Sequence, residues 1–181
     1  MSLCFAYLVL SGHNVLIKGL IGEKCSLIMD KIDKKILSVL EGDARISFAD
    51  LALKVGLSKT PCWNRVKELE LKGVISAYTA RVDPYAIGLE VQAIVQLVLN
   101  FGQADAFEES VLRHEKILHC FAVTGDYDYA LHVVAKNIRD LDEFLRSELS
   151  QFSGVERFST AISTRSIKEI GRLLPISEKD T

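Results

Sequence analysis

The stretch Val55-Gly56-Leu57-Ser58-Lys59-Thr60-Pro61 constrains this chain more than any other. One helical pattern runs into Gly56 and another starts at Ser58, so two helices share a very short turn. Gly56 permits the sharp corner, and Leu57 anchors it. Ser58 suits the N-cap of the next helix, where its hydroxyl can accept from an orphan first-turn amide. Pro61 fits just inside, because the first amides of a helix have no intrahelical acceptor. Ahead of the turn, Ile32, Ile36, Leu37 and Leu40 follow helical spacing, and Gly42 ends that helix. Ser47 caps a second, with Leu51, Ala52 and Val55 on its buried face and Asp50 as a short-armed capping-box partner. Helix, helix, glycine turn, helix within about forty residues is the helix-turn-helix arrangement.

The third helix, Ser58 to Leu69, divides its chemistry by face. Val66 and Leu69 lie on one side. Lys59, Thr60, Asn64, Arg65 and Lys67 offer cations and amide or hydroxyl donors with no acid among them, the groups that contact phosphates and base edges. A solvated amphipathic helix with a mixed polar face is the other reading of the same residues. Lys72-Gly73 stops the helix. Residues 74–82 then alternate like two short strands or a hairpin, in the position of a wing, and Asp83-Pro84 ends them.

Net charge separates the halves. Residues 29–90 hold ten Lys/Arg against nine Asp/Glu, and residues 91–181 hold ten against fourteen. The chain is therefore no general polyanion binder, and any nucleic-acid contact has to come from a local patch in the first half. Four cysteines without a C-x-x-C pair argue against a zinc ribbon, a redox motif or a disulfide framework, and fit reduced thiols in a cytoplasm. Residues 1–28 include an apolar run, Leu3 to Leu10, too short to span a bilayer and lacking the basic flank of a signal peptide. They are expected to lie outside the fold, with Met29 as the natural start.

The second half reads as β-α-β-β-α-β. Strands are expected at 91–100, 117–124, 128–136 and 155–164. Helices fall at 103–116, with Phe107, Val111 and Leu112 inward, and at 138–151, with Leu141, Phe144, Leu145 and Leu149 as its stripe. This is the split βαβ or ferredoxin-like order. The expected fold is thus α+β, a winged helix-turn-helix at 29–82, a linker at 83–90, a ferredoxin-like sandwich at 91–172 and a tail at 173–181. Two helices cover one face of such a sheet. The other, with Ile94 and Val98, calls for a second copy.

Gly125 and the turn after it expose backbone amides that can hold a carboxylate, and Asp126 and Asp128 can accept from an ammonium. Together they complement an amino-acid zwitterion. Equally, Gly-Asp is a plain hairpin turn with solvated aspartates. Acid–base catalysis by Asp126 and Asp128 is disfavoured, since alternating strand residues point to opposite faces and no nucleophile–base pair or phosphate loop accompanies them. No catalytic residue is assigned. Among His114, His119, Cys120 and His132 no liganding spacing repeats, and His119 and Cys120 should face opposite ways, so no metal site is assigned either.

These parts resemble the Lrp/AsnC family of feast/famine transcriptional regulators. The resemblance rests on Asp33-x-x-Ile36-Leu37-x-x-Leu40, Asp43-Ala44-Arg45-Ile46-Ser47, Leu51-Ala52 and Val55-Gly56-Leu57-Ser58. It continues through Arg65-Val66-x-x-Leu69-x-x-x-Gly73-Val74-Ile75 and Val123-Thr124-Gly125-Asp126-Tyr127-Asp128-Tyr129, with Pro84, Gly88 and Gly154-Val155 also in place. It spans about residues 30–172. The resemblance implies double-stranded DNA as partner and an amino acid as effector, with no other cofactor. It also implies homodimers assembling to tetramers or octamers, and a cytoplasmic, nucleoid-associated place in a bacterium. By position it implies DNA contacts from Ser58, Lys59, Thr60, Trp63, Asn64, Arg65 and Lys67, with Cys62 a packing residue. Trp63 departs from the family pattern, and whether it stacks on DNA or packs on a neighbouring helix stays open. The implied effector residues are Gly125, Asp126, Tyr127, Asp128, Ile138, Ala161, Ile162 and Ser163.

Overall fold

The computed structural model describes residues 29–100, 102–168 and 171–177, so the expectation for residues 1–28 lies outside the described residues. They form two units. One runs up to Tyr78 and takes in the segment from Arg172, and the other is Thr79–Gly171.

The first unit packs α1 (Lys31–Gly42), α2 (Phe48–Val55) and α3 (Lys59–Leu71) around Ile36, Leu51, Cys62, Val66 and Leu69, all buried. The first two helix starts satisfy orphan amides with side-chain caps. Asp30 caps α1 by accepting from the amides of Ile32 and Asp33 at 2.9 and 2.8 Å. Ser47 caps α2 by accepting from the Asp50 amide at 3.1 Å, and its hydroxyl donates to Asp50 Oδ2 at 2.7 Å. That second bond replaces the reach back to the Ser47 amide that a longer glutamate would make. Ser58 stands at the N-cap of α3 as expected, but its side chain makes no cap hydrogen bond. As in α1 and α2, the N-cap carbonyl starts the helical ladder, Ser58 O accepting from the Cys62 amide at 3.2 Å. Between α2 and α3, Gly56 takes φ +78°, and the Leu57 amide donates to Ala52 O at 2.9 Å. The short α6 (Leu174–Ser177) falls in the stretch expected as a tail. The Glu41 carboxylate accepts from the amides of Leu173 and Leu174 at 2.6 and 3.4 Å, and Leu174 packs against the core of this unit.

The expected wing hairpin is not formed. Residues 76–82 run without a strand. The alternation at 74–82 carries no Gly, Asn or Asp for the left-handed corner of a tight hairpin, so the pattern has nothing to fold back on. A single 3-10 turn, Tyr85–Ile87, follows Pro84 and closes at Gly88, φ +80°.

The second unit is a four-stranded antiparallel sheet ordered β2-β3-β1-β4, from β1 (Val91–Leu99), β2 (Ile117–Ala122), β3 (Tyr129–Ala135) and β4 (Val155–Ile162). Val91, Ala93, Val95 and Leu97 of β1 share one core with Tyr129, Leu131 and Val133 of β3 and with the helices α4 (Ala104–Leu112) and α5 (Ile138–Glu143). Ile94 and Gln96 face the other way and are exposed. The expected β-α-β-β-α-β order is the observed one. Leu112 is a miss: it is 86% exposed, while Phe107 and Val111 are buried. Val111 lies four residues beyond Phe107 and returns to its face; Leu112 falls a further 100° round. The expected helix 138–151 is continuous but changes pitch, with a π turn at Phe144–Glu148 and a 3-10 turn at Leu149–Gln151. The wider turn is what puts Phe144 and Leu149, five residues apart and both fully buried, on one face.

Gly154 links this helix to β4 at φ +79°, and a Cβ there would sit 2.5 Å from Gln103 Cβ. Gly154→Ala therefore meets both backbone strain and overlap, and urea unfolding should show a loss of about 1–3 kcal/mol. Gly125→Ala, with φ +124° but open space around it, should lose less.

Candidate nucleic-acid interface and effector site

The α3 surface sorts into three groups. Cys62, Val66 and Leu69 point into the core, as their spacing requires. Lys59, Thr60, Asn64 and Lys67 are exposed, as is Ser58 at the cap. Arg65 is different. Its Nη1 donates to Asp30 Oδ2 at 2.6 Å and to Asp33 Oδ1 at 2.8 Å, strapping α3 to the first turn of α1. The Asp33 amide and then this guanidinium hold the Asp30 carboxyl below its ordinary range, and the two acids push Arg65 further up. Both partners lie more than thirty residues upstream, so no local signal in α3 announces them.

Trp63 is 45% exposed, and its inner edge lines a cavity of about 250 Å³ with Leu40, Ile46, Phe48 and Tyr78. The Lys67 ammonium stands 5.9 Å from the indole centroid, within cation–π reach. Lys67 Nζ also donates to Glu70 Oε2 at 2.7 Å, and the Tyr78 hydroxyl donates to Glu70 Oε1 at 3.0 Å. Burial, with Glu70 beside it, pushes the Tyr78 phenol up to about 12.

In the second unit, the turn between β2 and β3 is closed by the Val123 amide on Asp128 O at 2.8 Å. Asp128 also finishes β1: its amide donates to Leu97 O at 2.9 Å, and its Oδ2 accepts from the Leu99 amide at 2.8 Å. One carboxylate oxygen thus has a structural task. Asp126 is exposed. Arg157, which no sequence motif points out, joins this turn. It stands 5.5 Å from the Tyr127 ring, and its Nη2 donates to Asp126 O at 3.4 Å. Tyr129 is buried, its hydroxyl donating to Glu108 Oε1 at 2.6 Å.

The remaining effector candidates are elsewhere. Ala161 pairs with Ile94, Ile162 with Ala93, and the Ser163 amide donates to Gln92 O at 2.8 Å, all at the start of β1. Ile138, 57% exposed, follows the end of β3, where Ala135 pairs with Val91. The Gly125–Asp128 turn sits at the far end of β1. At the rise of an antiparallel strand the two groups are roughly 20 Å apart. One chain brings together Ile138 and 161–163 only at one strand end, and 125–128 at the other.

The open sheet face carries His119 and His132, stacked at 5.6 Å with planes 9° apart. His132 Nε2 lies 3.1 Å from Gln92 Oε1, and burial, then His119, lowers its pKa. Together with Ser163 and Arg165 they line a groove of about 700 Å³. Cys120 packs on the opposite, helix-covered face, and His114 bonds Glu148 Oε2 at 2.8 Å. Among the described residues, no three His, Cys, Asp or Glu side chains gather where a metal ion would need them. None of their helices is long and apolar enough to cross a membrane.

A helix-turn-helix unit followed by this sheet defines a DNA-binding regulator with an attached sensing domain. Residues 29–76 match the winged helix-turn-helix DNA-binding model, and residues 92–173 match the Lrp/AsnC ligand binding domain. Over 149 residues the chain is 36% identical to the leucine-responsive regulatory proteins of Escherichia coli (strain K12) and Salmonella typhimurium, covering 81% of this chain and 91% of those proteins. It is similar in structure to a Neisseria meningitidis transcriptional regulator solved with L-Met, with TM-score 0.78 and 31% identity over 80% of this chain and 96% of that one. An AsnC family regulator from Agrobacterium tumefaciens gives TM-score 0.75 and 33% identity with the same coverage, 80% and 96%. The chain belongs to the Lrp/AsnC family, helix-turn-helix DNA-binding transcriptional regulators with amino-acid-binding domains.

The two turn aspartates separate by experiment. Asp128→Ala should lower stability by about 1 kcal/mol through the Leu99 amide it leaves unpaired, the figure being discounted for exposure. Asp126→Ala should unfold in urea with the wild type.

Proposed function

We propose that this protein binds double-stranded DNA sequence-specifically through the exposed face of α3 and that an amino acid controls that binding, in the regulation of amino-acid metabolism genes. The observation that carries the reading is the exposure at the start of α3: Lys59, Thr60 and Asn64 are open to solvent in its first turn and a half, while Cys62, Val66 and Leu69 are buried. Cations there meet phosphates, and Asn64 and Thr60 supply the donors and acceptors that read base edges. Ser58, with its hydroxyl unused by the cap, Trp63 and Lys67 extend the face. Arg65 contributes by setting the angle of α3 on α1 and adds whatever charge its ion pairs leave available.

In this reading two copies pair through their open sheet faces, where Ile94 is exposed beside the His119–His132 stack, and present two recognition helices to successive major grooves. Further pairing to tetramers or octamers lets the assembly bend a longer site. The effector site is shared. The Gly125–Asp128 turn of one copy supplies amides for a carboxylate and Asp126 for an ammonium, and Ile138 with Ala161, Ile162 and Ser163 of another supplies the remaining wall. The separation of these groups along β1 supports a shared site, and the L-Met complex of the Neisseria protein supports an amino acid as the effector. An amino acid that binds only one assembly shifts DNA affinity by that difference. The protein works in the cytoplasm, on the nucleoid.

Lys59→Ala with Asn64→Ala should weaken binding to a duplex selected by the wild-type protein by tenfold or more, at about 1–3 kcal/mol per lost contact, with an unchanged melting point. Wild-type affinity in a gel shift would remove α3 from the interface. For the effector, a thermal-shift screen of the proteinogenic amino acids should find one or a few that raise the melting temperature, and Asp126→Ala should abolish that rise while keeping DNA affinity. An undiminished rise in the variant would rule out the turn.

A further inference from the structure

We propose that Tyr78 is a positioning residue for DNA binding: through Glu70, its hydroxyl aims Lys67 at the DNA backbone. The proposal rests on the reading that Lys67 faces DNA. A lysine ammonium on its flexible four-carbon stem samples many positions, and each phosphate contact then costs entropy. Here the ammonium has two anchors, Glu70 Oε2 at 2.7 Å and the Trp63 ring at 5.9 Å. An exposed i,i+3 ion pair by itself holds a lysine weakly. Glu70, however, is not free to swing, because its other oxygen accepts from the Tyr78 hydroxyl at 3.0 Å. With one partner on each oxygen, the plane of the carboxylate is set.

The hydroxyl is carried on a half-exposed ring. The Tyr78 side chain lines the 250 Å³ cavity beside Trp63, with Ile46 and Phe48 in the same wall. An ammonium carries three donors, and the bond to Glu70 uses one, so Lys67 keeps donors for a phosphate oxygen while it is held.

The test is a double-mutant cycle in fluorescence anisotropy, using a duplex selected from a random library by the wild-type protein, across a range of salt. Lys67→Gln should weaken binding and lower the salt slope by about 0.9, the value of one phosphate contact. Tyr78→Phe keeps the ring in its cavity and should melt with the wild type. It should bind about three- to tenfold more weakly, the worth of one hydrogen bond, with its slope moved toward that of Lys67→Gln. In the double variant the loss should be no greater than in Lys67→Gln alone, and Tyr78→Phe should be silent in a Glu70→Ala background. Fully additive losses, or wild-type binding by Tyr78→Phe beside a weakened Lys67→Gln, overturn the positioning role and leave the DNA-facing assignment standing. Wild-type binding by Lys67→Gln overturns both. If Tyr78→Phe melts lower, the Glu70→Ala arm still decides: a hydroxyl effect on binding that persists without Glu70 is structural, and the proposal fails.

Discussion

The second unit depends on the two-residue period of one strand. β1 buries Val91, Ala93, Val95 and Leu97 under the helices and pairs on both sides, with β3 and with β4. A slip of one residue would send that whole set to the open face, so the hydrophobic term holds the register of three strands together. Asp128 marks where the ladder stops, taking the Leu97 carbonyl with its amide and the Leu99 amide with its carboxylate. Ser163 marks the other end, on Gln92. The places where backbone groups leave the ladder are the places where the proposed effector residues lie. They are held a full strand length apart by the same register that makes the core. The proposed sensing site, drawing on both ends, needs more than one copy of the chain, and effector binding and assembly would then be a single equilibrium.

What could be read in advance follows the range of the forces involved. The Gly56 turn, the cap at Ser47 and the alternation of β1 are local, and each appears where its pattern lies. The βαββαβ order came from the same local signals, because strands and helices alternate with clear breaks. The failures have longer range or finer geometry. Arg65 looked like a free cation because its partners, Asp30 and Asp33, are on another helix. Arg157 drew no attention, since the turn it joins is thirty residues upstream. Leu112 and the π turn at Phe144 both come from small angular steps, which a list of apolar residues does not record. At residues 74–82 the alternation was real, but a strand also needs a corner and a neighbour, and this stretch carries no residue for the corner.

The polar face of α3 serves the fold and, in the proposed reading, DNA at once, and the residues divide the work. Arg65 is held by α1, and Lys67 is shared between Glu70 and solvent. Lys59, Thr60 and Asn64, in the first turn and a half, are the part of the face left exposed for a ligand. The N-terminal end of a helix also carries the positive end of its dipole and unpaired amides, so the exposed donors coincide with the field that favours phosphate.

This division bears on how binding strength must arise. The first half of the chain is close to neutral, with ten basic against nine acidic side chains in residues 29–90. A single copy therefore neutralises few phosphates and gains little from counterion release. Joining two such units converts the second contact into an intramolecular one, and the gain depends on spacing rather than on any new side chain. Weak single units are then an advantage for control. When each unit is weak, whatever changes the number of units held together changes occupancy of the DNA far more than a change within one helix would. Under the proposed pairing, the acidic second half acts on DNA occupancy through the number of near-neutral first halves it joins.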